Sequence, residues 1–187
     1  MLAGGRSTRF GATDKLTADL AGMPLLHHAV LRVAEVVDDV IVVLPPGAPA
    51  VGLPPGVRAV HDPTEGEGPL AGAHAGLVAA ASSEVAVVVG GDMPELHPVV
   101  LREMLEVIER SHADAVALDD GGRLRPLPIV VRVRPATEAA HALLHDGRRR
   151  LRELGQTLRT AVIDEATWTA LDPQRRTLHD VDEPDDL

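Results

Sequence analysis

Short β-branched runs alternating with helical patterns predict an α/β protein of three layers built on a mostly parallel central sheet. Two observations carry this. Residues 40–44 (VIVVL), 57–60 and 85–89 (VAVVV) have the length and apolar character of strands covered on both faces. The segments between them place apolar residues at helical spacing, and alternation of the two patterns builds a sheet sandwiched between helices.

The elements follow in order. Residues 25–37 align Leu26, Ala29, Val30, Val33 and Val37 on one helical face. Residues 70–81 are Ala-rich and open after Gly68-Pro69, and residues 98–110 repeat the pattern with Val100, Leu101, Met104, Leu105 and Ile108. Strands are expected at 115–118 and 127–132, and helices near 137–144 and 148–154. The Pro/Gly-rich stretch 45–56 lies between strands and is expected to be a surface loop. With 187 residues, 45% of them hydrophobic, one domain over 1–187 is expected. Only Met1-Leu2-Ala3 precede Gly4, fewer than the roughly five or six residues of a typical strand. Either the first strand is very short or the natural chain begins upstream. The tail 183–187 likewise reads as the first turn of a helix cut short.

Charge and composition narrow the function. The net charge is −10, and the one dense basic run is Arg148-Arg149-Arg150 with Arg152. A duplex-binding protein carries a broad basic patch or stripe, so no nucleic-acid partner is expected, and positive groups for an anionic ligand must gather in a small pocket. There are no cysteines, which excludes disulfides and thiolate zinc sites and fits a reducing compartment. No apolar run approaches the ~20 residues of a membrane span, and glycines and charges from Gly4 onward exclude a signal peptide. The chain reads as cytoplasmic, with no membrane partner.

The strongest motif is the run from Leu2 to Leu16, LAGGRSTRFGATDKL. Glycines allow tight turns and bring backbone N–H groups close to phosphate oxygens, while Arg9 and Lys15 add positive charge. It is neither a P-loop nor the dinucleotide G-x-G-x-x-G pattern. A polar turn with two solvated cations is the competing reading. Lys15 weighs against it: the chain has 17 arginines and this single lysine, so a compact ammonium is used where a guanidinium was otherwise the rule.

The second motif, Gly90-Gly91-Asp92-Met93-Pro94, follows the strand at 85–89. A carboxylate at the C-terminal end of a parallel strand sits where open α/β sheets bind ligands. It is a hard oxygen ligand suited to Mg²⁺, and a helix cap is the alternative. Third, residues 61–72 form a Gly/Pro-rich connection containing Asp62, Gly68 and the string Gly68-Pro69-Leu70-Ala71-Gly72. It is either a ligand loop or an ordinary strand-to-helix turn. Glu65 and Glu67 are expected to be solvated. Fourth is the C-terminal string from His179 to Leu187, with Asp180 and Asp182.

These motifs, in this order, resemble the MobA-like nucleotidyltransferases, nearest the molybdenum cofactor guanylyltransferases. Leu2 to Lys15 follows their L-A-G-G-x-S-x-R-[MF]-G-x-x-K signature, Gly90 to Pro94 their C/G-D-M-P motif, and residues 68–72 their G-P-L-A-G loop. The resemblance implies a Rossmann-like nucleotidyltransferase fold and transfer of GMP from GTP to a molybdopterin-type acceptor, with release of pyrophosphate. It implies nucleotide binding by Leu2, Ala3, Gly4, Gly5, Lys15, Asp62, Gly68 and Asp92, with Mg²⁺ on Asp92. Lys15, Asp92 and Arg9 would be the catalytic residues. Contact with molybdenum cofactor biosynthesis or target enzymes is a further implication.

The tail departs from the family's N-x-N-T-P-E pattern: aspartates stand at 180 and 182 and Glu183 replaces Thr. The D-x-D form is commoner among cytidylyl relatives. A CTP-using relative, a non-pterin acceptor, or a non-catalytic nucleotide-binding module are therefore alternatives. Arg123 to Pro128 resembles the Q-P-L segment near the second substrate, against a plain turn. Arg148 to Arg152 would meet an acceptor phosphate, against a solvated helix face. His27 and His28, and His141 and His145, read as surface or half-buried histidines rather than metal ligands.

Overall fold

The structure, a computed structural model, describes residues 1–4, 15–50, 52–63 and 66–181. Gly5, Arg9, Glu65, Asp182 and the tail beyond it lie outside the described residues.

Among the described residues, eight strands and six helices follow the chain as β1 (Asp19–Leu20), β2 (Met23–Pro24), α1 (Leu25–Ala34), β3 (Ile41–Leu44), β4 (Arg58–His61), α2 (Pro69–Ala79), β5 (Val85–Val88), α3 (Pro98–Arg110), β6 (Ala115–Asp120), β7 (Arg123–Arg132), α4 (Val133–His145), α5 (Arg152–Thr157), β8 (Thr160–Ile163) and α6 (Glu165–Leu171). The three layers are as expected. One apolar cluster packs α1, α3 and Trp168 of α6 on one sheet face, and another packs α2, α4 and α5 on the opposite face. Among the described residues, no helix is long and apolar enough to cross a membrane.

The sheet corrects the expectation of mostly parallel strands. β3 pairs with β4 and β6 with β8 in parallel, but β7 runs antiparallel to both β5 and β6. The cause is local. Gly121 and Gly122, at φ +61° and +78°, make the two-residue turn that folds β6 directly onto β7. No crossover helix intervenes, and β7 is ten residues long rather than six because its first half forms the hairpin arm. The register matters for function. Val88 faces Ile129 and Asp120 faces Arg123, so the Arg123 end of β7 lies at the same sheet edge as the C-terminal end of β5.

Met1-Leu2-Ala3 occupies the central position expected of it, but as a bridge. Leu2 bridges Val43 on one side and Gly90 on the other, both in parallel. Leu2 N–H donates to Val89 O (2.8 Å), Gly91 N–H to Leu2 O (2.8 Å), Ala3 N–H to Val43 O (2.9 Å) and Val43 N–H to Met1 O (2.9 Å). These bonds join the β4-β3 half to the β5-β7-β6-β8 half. Behind Met1, toward the N-terminal ends of β3 and β5, a cavity of about 390 Å³ separates the halves, lined by Val37, Ile41, Gly76, Val85, Val87 and Leu105 among others. The terminal ammonium of Met1 donates to Ile41 O at 2.8 Å. Burial pushes its pKa down from 8.0 to about 5.

Candidate active site

The C-terminal edge of the central strands gathers, from four parts of the chain, those predicted residues that the structure describes. Leu2 and Ala3 are pinned between β3 and β5, so Gly4 emerges at this edge beside Pro45, with its Cβ position 3.6 Å from Pro45 Cγ. Asp92 sits in the turn after β5. Lys15 opens a single 3-10 turn, Lys15–Thr17, and its Nζ lies 3.0 Å from Asp92 Oδ2 across 77 residues of sequence. The lysine side chain is 10% exposed and the aspartate 33%, so the ammonium is enclosed while the carboxylate keeps an open side.

Two glycines shape this pair. A Cβ on Gly91 would lie 3.0 Å from Leu26 Cδ1, 3.2 Å from Leu2 O and 3.3 Å from Leu16 Cδ2. The backbone therefore passes through a slot with no room for a side chain, which seats Leu16, and with it Lys15, against the Asp92 turn. A Cβ on Gly90 would lie 2.3 Å from Asp92 Oδ1, so the carboxylate folds back over the space this glycine leaves. The sequence motif shows both glycines, but their packing role emerges only when Leu2, Leu16 and Leu26 converge.

Asp62 and Gly68 lie close by, around the start of α2. Asp62 N–H donates to Leu44 O (2.9 Å), placing its carboxylate at the end of β4. From Gly72 in the first turns of α2, a Cβ would lie 3.7 Å from Asp62 Oδ2 and 3.6 Å from Leu2 Cδ2, so Leu2, Asp62 and this helix start meet. Gly68 caps α2 at φ +81°, ψ 174°, a conformation open to glycine almost alone. Arg149 O lies 2.9 Å from its Cβ position and accepts from Leu70 N–H at 3.4 Å.

The C-terminal segment also reaches the site: Val181 N–H donates to Asp92 O at 2.9 Å, which brings the preceding Asp180 to the same loop. Among the described residues, no group of three or more His, Asp or Glu side chains forms a ready-made metal centre. A single half-open carboxylate fits Mg²⁺, which takes one or two protein carboxylates and fills its shell with phosphate oxygens and water. His27 Nε2 bonds Gly52 O (2.5 Å), His28 Nε2 bonds Leu20 O (2.7 Å), and His141 packs on His74 with ring centroids 5.7 Å apart.

The arginine run is not the helix face expected over 148–154, because α5 begins only at Arg152. Arg149 pairs with Glu67 and donates to Leu144 O, and Arg148 pairs with Glu153 at 3.0 Å. Glu67 is therefore not the solvated acid that the sequence suggests.

The MobA-like NTP transferase domain model matches residues 1–161, most of the chain. The chain belongs to that family. Family membership makes it a nucleotidyltransferase. A relative from Natronomonas pharaonis, named "Probable molybdenum cofactor guanylyltransferase", is 32% identical over 193 residues, covering 100% of this chain and 93% of its own length. The fold matches molybdopterin-guanine dinucleotide biosynthesis protein A from Archaeoglobus fulgidus with a TM-score of 0.78 at 20% identity, over 99% of this chain and 92% of that one. It also matches 2-C-methyl-D-erythritol 4-phosphate cytidylyltransferase from Thermus thermophilus, with a TM-score of 0.67 at 22% identity over 92% and 89%. Those two likenesses concern the fold alone. In this chain the G-D-M-P segment meets Leu2 through Gly91 N–H and Lys15 through Asp92.

Proposed function

We propose that the chain transfers GMP from GTP to the phosphate of a molybdopterin-type acceptor, releasing pyrophosphate. The observation that supports this most directly is the 3.0 Å Lys15–Asp92 contact at the sheet edge where Gly4 and α2 begin. The end-to-end likeness to a guanylyltransferase supplies the substrates.

The chemistry needs no covalent nucleophile. An oxygen of the acceptor phosphate forms a bond to the α-phosphorus of GTP as the bond from that phosphorus to the β-bridging oxygen breaks. Pyrophosphate leaves with the electron pair. The protein's share is positioning and charge neutralisation. Backbone from Leu2 to Gly4, pinned by the sheet, presents a fixed surface to the nucleotide. Asp62 and the start of α2 border it, and Gly5 and Arg9 belong to the same loop by sequence. Lys15 holds positive charge where negative charge develops. Asp92 would hold Mg²⁺, which would supply neutralisation of phosphate charge. Asp180 precedes Val181, whose N–H donates to Asp92 O, and is a candidate second carboxylate for that position.

Pyrophosphate release with GTP, CTP, ATP and UTP, each with and without molybdopterin, tests the reading. GTP with molybdopterin is expected to turn over, dependent on Mg²⁺. A preference for CTP would refute the base assignment, and no release with any donor would refute catalysis.

A further inference from the structure

Among the described residues, three polar or charged side chains are buried: Lys15, Asp172 and Thr177. Lys15 belongs to the candidate site. Asp172 and Thr177 do not, and a buried carboxylate is costly unless its oxygens are bonded. These two residues bond one another. Thr177 N–H donates to Asp172 Oδ2 at 2.7 Å, and the Thr177 hydroxyl adds a second bond. Burial pushes the Asp172 pKa up, but these bonds and that from Arg176 N–H outweigh it and hold the group below the usual carboxylate value. The same hydroxyl accepts from His97 N–H at 3.3 Å. His97 is the N-cap of α3, at the far end of the loop that begins at Asp92.

This relay anchors a strap. After α6 the chain turns through Arg175, which lies at φ +58° although it is not glycine. Ion pairs with Glu165 and Asp120, and the Trp168 ring beneath its guanidinium, hold it in that conformation. Residues 177–181 then run antiparallel to residues 92–97. Thr177 meets His97, His179 Nδ1 meets Glu95 Oε2 at 3.1 Å, and Val181 N–H donates to Asp92 O at 2.9 Å. Arg176 Nε also approaches Glu95 Oε1, at 3.6 Å. The Glu95 contacts are exposed and hold weakly. The firm points are the buried relay at one end and the Val181 bond, beside a side chain only 1% exposed, at the other. Neither Asp172 nor Thr177 contacts Asp92 directly, so their influence on it passes through the strap's backbone.

We propose that Asp172 and Thr177 are positioning residues for Asp92: they anchor the strap whose Val181 N–H fixes the Asp92 carbonyl, and with it the turn that presents the carboxylate to Mg²⁺. This rests on the nucleotidyl-transfer reading. Groups that orient a metal ligand without touching the metal typically cost about tenfold or more in metal affinity when removed.

The test compares Thr177→Val, which keeps the side chain's shape and loses the hydroxyl, with Thr177→Ser, which retains it. Metal affinity is read by electron paramagnetic resonance of Mn²⁺ in the presence of a non-hydrolysable GTP analogue, and strap order by hydrogen exchange at the Val181 amide. Thr177→Val is expected to weaken Mn²⁺ binding about tenfold, to raise the Mg²⁺ needed for half-maximal pyrophosphate release by the same factor, and to speed Val181 exchange. Turnover at saturating Mg²⁺ should be largely kept, and Thr177→Ser should resemble the wild type. A folded Thr177→Val protein with wild-type Mn²⁺ affinity overturns the proposal whatever stability it has lost, because a purely structural role moves stability alone. If Thr177→Val does not fold, Glu95→Ala decides. That exposed substitution frees Arg176 and His179 from the loop, and should weaken Mn²⁺ binding about twofold with faster Val181 exchange. Wild-type values for both would overturn the proposal. A wild type that binds Mn²⁺ in this strap-dependent way yet releases no pyrophosphate refutes the transfer reading and leaves the strap assignment standing. A wild type that binds no Mn²⁺ overturns the strap assignment.

Discussion

Replacing Lys15 with alanine removes a charge that the fold uses and that the proposed chemistry requires, and the two losses should separate in magnitude. At 3.0 Å the ammonium and the Asp92 carboxylate attract with a gross Coulomb energy of about 5 kcal/mol at an effective dielectric of ~20. Little of that is net stability, because Asp92 remains 33% exposed and water takes over part of the lysine's role. Loss of the pair should cost roughly 1–3 kcal/mol, lowering Tm by roughly 2–10 °C in a chain of this size. Turnover should fall much further. A fixed charge facing developing phosphate charge contributes on the order of 10²–10³ in rate, so kcat/KM for GTP should drop by about that factor. Lys15→Arg should not rescue, since the site encloses the ammonium to 10% exposure and a planar guanidinium needs a wider berth. Initial rates of pyrophosphate release, with a urea melt on the same preparation, read both effects. A folded Lys15→Ala protein within about tenfold of wild-type kcat/KM would refute this role, because the expected loss is larger.

Three further outcomes follow from the fold. Gly68→Ala places a Cβ at φ +81° and 2.9 Å from Arg149 O, so it should cost roughly 1–3 kcal/mol in urea melts and raise KM for GTP by displacing the α2 start. In a protein made to start at Met1, the buried amine, pushed from 8.0 to about 5, binds fewer protons folded than unfolded between those values. Stability should therefore rise from pH 5 to pH 8 by up to about 4 kcal/mol from this group, and acetylating the amine should flatten that part of the pH profile in thermal melts. Trp168→Phe removes the Nε1–H bond to Asp119 O (2.7 Å) from a fully buried ring and should destabilise the chain by about 1–3 kcal/mol in a chemical melt.

Most of the layer architecture was legible because long apolar periods dominate α1, α2 and α3, and the helix expected over residues 98–110 forms over that span. The error at β7 has a definite source. Gly121-Gly122 is a hairpin signal, but the polar stretch Arg123-Leu124-Arg125 does not look like a strand, because it forms an arm that is solvated rather than sandwiched. β8 and α6 were missed for the opposite reason: each is short, and Asp164 caps α6 through Thr167 N–H with little periodicity to announce it. At the site, Lys15 and Asp92 were readable from type and spacing. The tight passage at Gly91 depends on Leu2, Leu16 and Leu26, about 65 to 90 residues away, which periodicity does not encode.

The bridge at Met1-Leu2-Ala3 makes ligand grip and sheet cohesion a single equilibrium. Four backbone hydrogen bonds clasp the halves together, and Gly4, assigned to the nucleotide in the proposed function, follows the clasp directly. Any opening between β3 and β5 must loosen Gly4, and any ligand that immobilises Gly4 works against that opening with its full binding energy. On the proposed function, the amide protons of Leu2, Ala3, Val43 and Gly91 should serve as occupancy gauges, exchanging more slowly as nucleotide binds, while those of Val116 and Val130, deep in the other half, should keep their own time.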